Sequence, residues 1–206
     1  MIRYLIYLPL NLLCMILCYL TNPVIVLFCD ECGELKGFLH LWQTWDDTCD
    51  AEDWCTDYSP KWMRYNYYEK YTVHKRLDSS IGKYIKYVTL NPGVTFTIKE
   101  RFLRYLNRVA WLYRNCAYGF AMHLFGVTVY TKNRKIIKSI YLNNDMNEEY
   151  ATYGSIFRWY NSLPIKLFPK YRWRIYLGWK INTSLETPQR AMIANRIWFC
   201  KREDLK

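Results

Sequence analysis

Residues 172–181, RWRIYLGWKI, alternate without a break. Trp173, Ile175, Leu177, Trp179 and Ile181 fall on one side, and Arg172, Arg174, Tyr176, Gly178 and Lys180 on the other. A period of two marks a strand that rests one face on a core. The stretch predicts an antiparallel sheet with a covered apolar face and a basic face. Residues 156–165 and 191–201 read as its neighbours.

Upstream, residues 83–90 alternate and read as a strand. Asn91-Pro92-Gly93 is a turn, and residues 94–98 read as the returning strand of a hairpin. Residues 99–115 read as an amphipathic helix. Phe102, Leu106, Val109 and Tyr113 share one face and Arg101, Arg104 and Arg108 another. Residues 124–130 and 136–141 read as strands around a polar turn at 131–135, and 143–149 as a polar loop. The fold class is α+β: an N-terminal transmembrane or membrane-inserted helix, then one body with an antiparallel sheet and an amphipathic helix.

The N-terminal helix rests on an uncharged run of 26 residues, Tyr4 to Cys29. At 1.5 Å per residue such a run crosses a hydrocarbon core of about 30 Å. Pro23 disfavours helical geometry in Asn22 before it. The expected helix therefore runs over 4–20, with an extended piece over 23–28, and a shallow or re-entrant insertion is the alternative to a single pass. The run is long for a cleaved signal peptide and lacks a small-residue cleavage site. The positive-inside rule, with Arg3 before the run and Lys36 after it, favours an exported body. The basic charge of the body favours the cytoplasmic leaflet, which is the side adopted.

Charge divides the rest of the chain. Residues 30–57 carry nine acids and one base, Lys36, a net of −8, within a chain whose net charge is +11. Residues 58–206 are strongly basic and rich in Tyr and Trp. Three parts are expected: a membrane anchor over 1–29, an acidic juxtamembrane segment over 30–57, and a basic aromatic-rich domain over 58–206. Arg101, Arg104, Arg108, Arg172, Arg174 and Lys180 are the candidates for contact with an anionic surface. Membrane lipid headgroups, a membrane protein or a phosphate backbone would all fit.

Metal and catalytic signals are weak. Cys29, Cys32, Cys49 and Cys55 have the chemistry for a zinc site or for disulfides, but the second spacing is loose. Asp46, Asp47, Asp50 and Asp53 are oxygen donors in a cluster without the glycine of a tight calcium loop. His40, His74 and His123 share no ligand spacing. There is no H-E-x-x-H, no G-x-S-x-G and no phosphate-cradling glycine loop. No metal and no cofactor are expected.

Three segments carry a resemblance. Arg114-Asn115-Cys116-Ala117-Tyr118-Gly119-Phe120 is similar to an R-N-P-A-Y-G-F motif. Tyr176-Leu177-Gly178-Trp179-Lys180 resembles a later L-G-W-K motif, and Trp42-Gln43-Thr44-Trp45-Asp46 resembles W-F-Q-T-P-D. Their order, with the apolar N-terminus, resembles a group of uncharacterised proteins of tailed bacteriophages and prophages. Cys116 and Trp45 stand where that pattern has proline, and the cysteine cluster is not part of it. The resemblance implies a phage origin and a host-membrane location, and no activity.

The reading is a non-enzymatic phage accessory protein in the host inner membrane that binds the membrane surface or a host membrane protein. The alternatives are a membrane-tethered nucleic-acid-binding protein and an enzyme acting on lipid or envelope precursors through the acidic cluster.

Overall fold

The computed structural model describes residues 1–142, 145–165, 167–168, 170–182 and 188–201. The chain is α+β and divides into two compact units, Met1–Pro9 with Phe125–Lys206, and Leu10–Leu124. The expected boundaries after residues 29 and 57 both fall inside the second unit. The acidic segment is part of that unit's core, because its carboxylates pair with bases further along the chain.

Helix α1 spans Ile2–Ile25 and continues as a tight turn over Val26–Phe28. It does not stop before Pro23 as expected. A proline in a helix leaves the carbonyl four residues earlier without its N–H partner. Here that carbonyl, on Tyr19, accepts the Tyr113 hydroxyl at 3.1 Å. The Tyr105 hydroxyl reaches the Pro23 carbonyl, also at 3.1 Å. Tertiary hydrogen bonds thus carry the helix through the proline. In the second unit Asn11, Cys18, Asn22 and Val26 form its buried stripe, while Leu12, Leu13, Ile16, Leu17, Leu20 and Val24 are exposed.

A short helix α2 (Tyr67–Lys70) leads into strand β1 (Tyr71–Asp78), which pairs antiparallel with β2 (Lys83–Leu90). The strand over 83–90 is therefore as expected, but its partner precedes it. Residues 94–98 do not return as a strand, because Thr97 opens a helix. Its backbone N–H donates to Glu100 Oε2 at 2.8 Å, and Glu100 N–H donates to Thr97 Oγ1 at 3.2 Å. This reciprocal cap satisfies two orphan donors and contributes about 0.5–2 kcal/mol.

The capped helix is α3 (Ile98–Arg114). Its buried residues are Leu103, Asn107, Arg108 and Leu112, and the expected apolar anchor Phe102 is exposed. The buried stripe is offset by one position because it contains two polar side chains that bind inside the core. Helix α4 (Tyr118–His123) follows, entered through Ala117 at φ 59°.

The first unit is a six-stranded antiparallel sheet in the order β3-β8-β7-β6-β5-β4. Its strands are β3 (Val127–Val129), β4 (Arg134–Leu142), β5 (Asp145–Tyr153), β6 (Ile156–Pro164), β7 (Tyr171–Lys180) and β8 (Gln189–Lys201). The expected β3–β4 hairpin is absent, since β3 pairs with β8 and β4 with β5. Residues 145–149, expected in a loop, begin β5; the rest of that loop lies outside the described residues.

Only one end of the apolar face of β7 is covered. Trp179 is fully buried, with the Tyr4 ring edge-on at 5.4 Å and the Phe157 ring at 5.9 Å. The Tyr4 hydroxyl donates to the Ala194 carbonyl at 3.0 Å. At the other end Leu163, Trp173 and Phe199 stand side by side in register and are exposed. The Arg face is half-buried rather than open, because its arginines stack on aromatics. Arg174 lies over the Tyr160 and Trp198 rings, Arg158 over Tyr176 and Arg196 over Trp198.

Candidate functional site

Asp50 is fully buried at the centre of the second unit. Arg108 grips its carboxylate from two nitrogens, Nε at 2.7 Å and an NH2 at 2.6 Å. Arg104 Nε donates to it at 3.0 Å and the Tyr71 hydroxyl at 2.9 Å. The Tyr67 hydroxyl donates to the Asp50 carbonyl at 2.6 Å. The guanidiniums also bind backbone, Arg108 the Asp30 carbonyl at 3.0 Å and Arg104 the Glu31 carbonyl. Burial pushes the Asp50 carboxyl up, but the Arg108 hydrogen bonds and the charges of both arginines outweigh it and hold the group below its ordinary range. Gly33 completes the fit: at φ +75° it lies against Asp50, and a Cβ there would come within 2.7 Å of the Asp50 nitrogen.

This network corrects two sequence expectations. Arg104 and Arg108 do not present charge to an outside surface, because they neutralise Asp50. Asp50 is not a free oxygen ligand, for the same reason. Arg101 is exposed on α3, and Arg172, Arg174 and Lys180 lie on β7 in the other unit. The signal for the network was present in the spacing: Arg104 and Arg108 are one helical turn apart, so a single carboxylate can bind both. Tyr67 and Tyr71 carried no such signal.

The remaining acids surround a cavity of about 570 Å³. Asp46, Asp47 and Asp53 line it together with Lys75, Lys86, Tyr84, Trp45 and Trp111. Lys86 Nζ contacts both Asp53 oxygens at 3.0 Å and Glu52 at 3.4 Å. Asp47 is 8% exposed, and burial pushes its carboxyl up to about 8; the neighbouring Asp46 charge adds to the rise, while the Thr48 N–H and Lys86 oppose it. The indole N–H groups of Trp45 and Trp111 are buried with no hydrogen-bond partner among the described residues. The cavity therefore combines a carboxylic acid protonated at neutral pH, two lysines and two indole rings. Such a set can donate hydrogen bonds to a polar ligand and hold or release a proton.

The cysteines do not gather. Cys29 and Cys49 are free thiols, and Cys55 and Cys32 belong to an apolar cluster with Tyr67, Tyr71 and Val88. Among the described residues no three His, Cys, Asp or Glu side chains lie close enough to hold a metal ion.

Two of the sequence motifs meet in the second unit. Trp42 packs edge-on against Phe120 at 4.8 Å. Gly119 lies so close to the Leu41 and Gln43 carbonyls that no Cβ fits. Gly178, at φ 100°, lies equally close to the Phe157 carbonyl. The two glycines let backbone approach backbone, and Trp42 packs through its ring.

The class defined here is an α+β protein with one N-terminal helix long and apolar enough to cross a membrane, and with an acidic segment neutralised inside its body. The model of a family of unknown function, DUF7338, matches residues 1–204, and the chain belongs to that family. No curated protein and no solved structure matches it.

Proposed function

We propose that this chain is a phage accessory protein held in the host inner membrane, without catalytic chemistry of its own. Its body faces the cytoplasm and meets the bilayer surface or a host membrane protein. The observation that carries the reading is the bare face of α1. Leu12, Leu13, Ile16, Leu17, Leu20 and Val24 are exposed on a helix whose other side is bonded to protein. A buried aliphatic side chain contributes about 1.5–3 kcal/mol, so this stripe favours hydrocarbon strongly over water. Because one side of α1 is engaged by tyrosines and Cys116, the helix enters the bilayer by its free side, as a shallow or re-entrant element. The exposed Trp173 and Phe199 suit the interface, where aromatic rings are favoured. The phage origin is supported by the motif resemblance, and the cytoplasmic side by the basic body.

The full-length protein should fractionate with membranes and resist both high salt and alkaline carbonate. Release by salt alone would reduce the contact to peripheral association. A mature chain beginning after Cys29 would make the run a signal peptide. Residues of α1 are part of the packed body, so lipid binding is tested on the whole chain. Replacing Arg172, Arg174 and Lys180 together by Gln should weaken binding to anionic vesicles about tenfold, less than three fully exposed bases would give at about 1 kcal/mol each. An oligonucleotide that displaces the vesicles at fixed ionic strength would favour the nucleic-acid reading instead.

The cavity favours a second reading, an enzyme acting on lipid or envelope precursors. Turnover of such a precursor that is lost on replacing Asp47 would establish it over the non-catalytic one.

A further inference from the structure

The rings of Trp45, Trp111 and Tyr84 line the cavity of about 570 Å³ together with charged groups of both signs. Lys75 and Lys86 stand directly opposite each other across the β1–β2 hairpin. Lys86 is held by Asp53 at 3.0 Å and by Glu52 at 3.4 Å. Lys75 is exposed and makes no ion pair among the described residues. Asp47 is 8% exposed, and its Oδ1 accepts the Thr48 N–H at 2.8 Å. Its Oδ2 and the Tyr84 hydroxyl have no hydrogen-bond partner among the described residues. A carboxyl oxygen on a buried side chain, a hydroxyl and an ammonium group are thus left open around one cavity. Polar groups unmet in a concave site call for a partner from outside the chain.

We propose that this cavity binds a neutral, water-soluble saccharide, a hexose ring that lays its C–H face on the aromatic rings and bonds through its hydroxyls to Asp47, Lys75 and Tyr84. A pyranose has both features the lining asks for. Its C–H face is apolar, as the aromatic rings are, and each of its hydroxyls donates and accepts. The cavity volume falls within the range of small-ligand sites.

Charge selects against the alternatives. An anion would face the carboxylates Asp46 and Asp53, and a cation would face the lysine pair. A wholly apolar ligand would strip water from all of these groups without replacing it. Burial, with the Asp46 charge, holds the Asp47 proton up to about 8, so at neutral pH that carboxyl donates as well as accepts. Two carboxylates then balance two lysines. Lys75 and Tyr84 are exposed, so the ligand enters from water rather than from a bilayer. Such binding requires neither membrane contact nor turnover, so its test is separate from those of both functional readings.

The test is saturation-transfer NMR on the full chain in a detergent without a sugar headgroup. The probes are the methyl and butyl glycosides of glucose, galactose, mannose and N-acetylglucosamine, with choline and glycerol phosphate as charged alternatives. At least one methyl glycoside should bind saturably, with the strongest transfer to the C–H protons of one ring face. Tyr84→Ala and Lys75→Ala, both at exposed positions, should each weaken that binding about tenfold and leave the urea midpoint unchanged. Four results would each overturn the proposal. They are no binding of any methyl glycoside, undiminished binding in either variant, tighter binding of choline or glycerol phosphate than of every glycoside, and a butyl glycoside bound about tenfold more tightly than its methyl counterpart. The last would make the ligand a glycolipid.

Discussion

Replacing Asp47 by Asn should stabilise the protein at neutral and alkaline pH and change little near pH 4. Asp47 is buried beside Asp46 at the edge of the cavity, and its carboxyl is raised from 3.8 to about 8. In the unfolded chain it loses its proton near pH 4; in the folded protein it keeps that proton until about 8. Raised above its unfolded value, the group contributes stability that is full below pH 4 and is lost as pH rises through about 8. The loss runs at about 1.4 kcal/mol per pH unit while only the folded state holds the proton. Over the roughly three units between pH 4 and 7 this amounts to about 4 kcal/mol. Asn is never charged, and its side-chain oxygen can still accept the Thr48 N–H that Asp47 accepts at 2.8 Å. The measurement is urea unfolding of both proteins in detergent, followed by tryptophan fluorescence from pH 4 to 9. The two stability curves should meet at the acid end and diverge with the variant above. Parallel curves, or a variant that loses stability as pH rises, would refute the reasoning.

Asp50→Asn should act in the opposite sense. It leaves Arg104 and Arg108 buried without their counter-charge, at a cost of about 3–5 kcal/mol at pH 7. Because the Asp50 carboxyl is lowered, its stabilisation is present above the unfolded value and lost as pH falls through the folded one. The gap to the variant should therefore narrow below about pH 4 in the same unfolding series. Gly119→Ala should cost about 1–3 kcal/mol, read as a lowered urea midpoint, because its Cβ would meet the Leu41 and Gln43 carbonyls. Tyr113→Phe should cost about 1 kcal/mol, since the Tyr19 carbonyl freed by Pro23 would lose its donor.

Local periodicity carried much of the fold. The β7 alternation, the strand over 83–90 and the helix ending near Arg114 all depend on nearest neighbours along the chain. What escaped depends on partners distant in sequence. β2 pairs with β1 because Thr97 and Glu100 commit the following residues to a helix. α1 passes Pro23 because Tyr113, 94 positions from Tyr19, supplies the missing donor. Charge composition suggested an acidic segment apart from a basic body, yet Asp50 and Arg108 form one buried pair. The motif glycines and Trp42 were visible as a pattern, but the backbone approach at the glycines and the ring contact of Trp42 needed three dimensions.

The central claim is that the free side of α1 lies in lipid, and photo-crosslinking tests it most directly. A photoreactive residue is placed at Leu13, on the exposed stripe, and in a second protein at Tyr84, exposed on β2. Both are irradiated in native membranes and analysed for covalently attached phospholipid. The account predicts lipid on the protein labelled at 13 and none on that labelled at 84. Absence of lipid at 13, or a crosslink there to another protein alone, would contradict it.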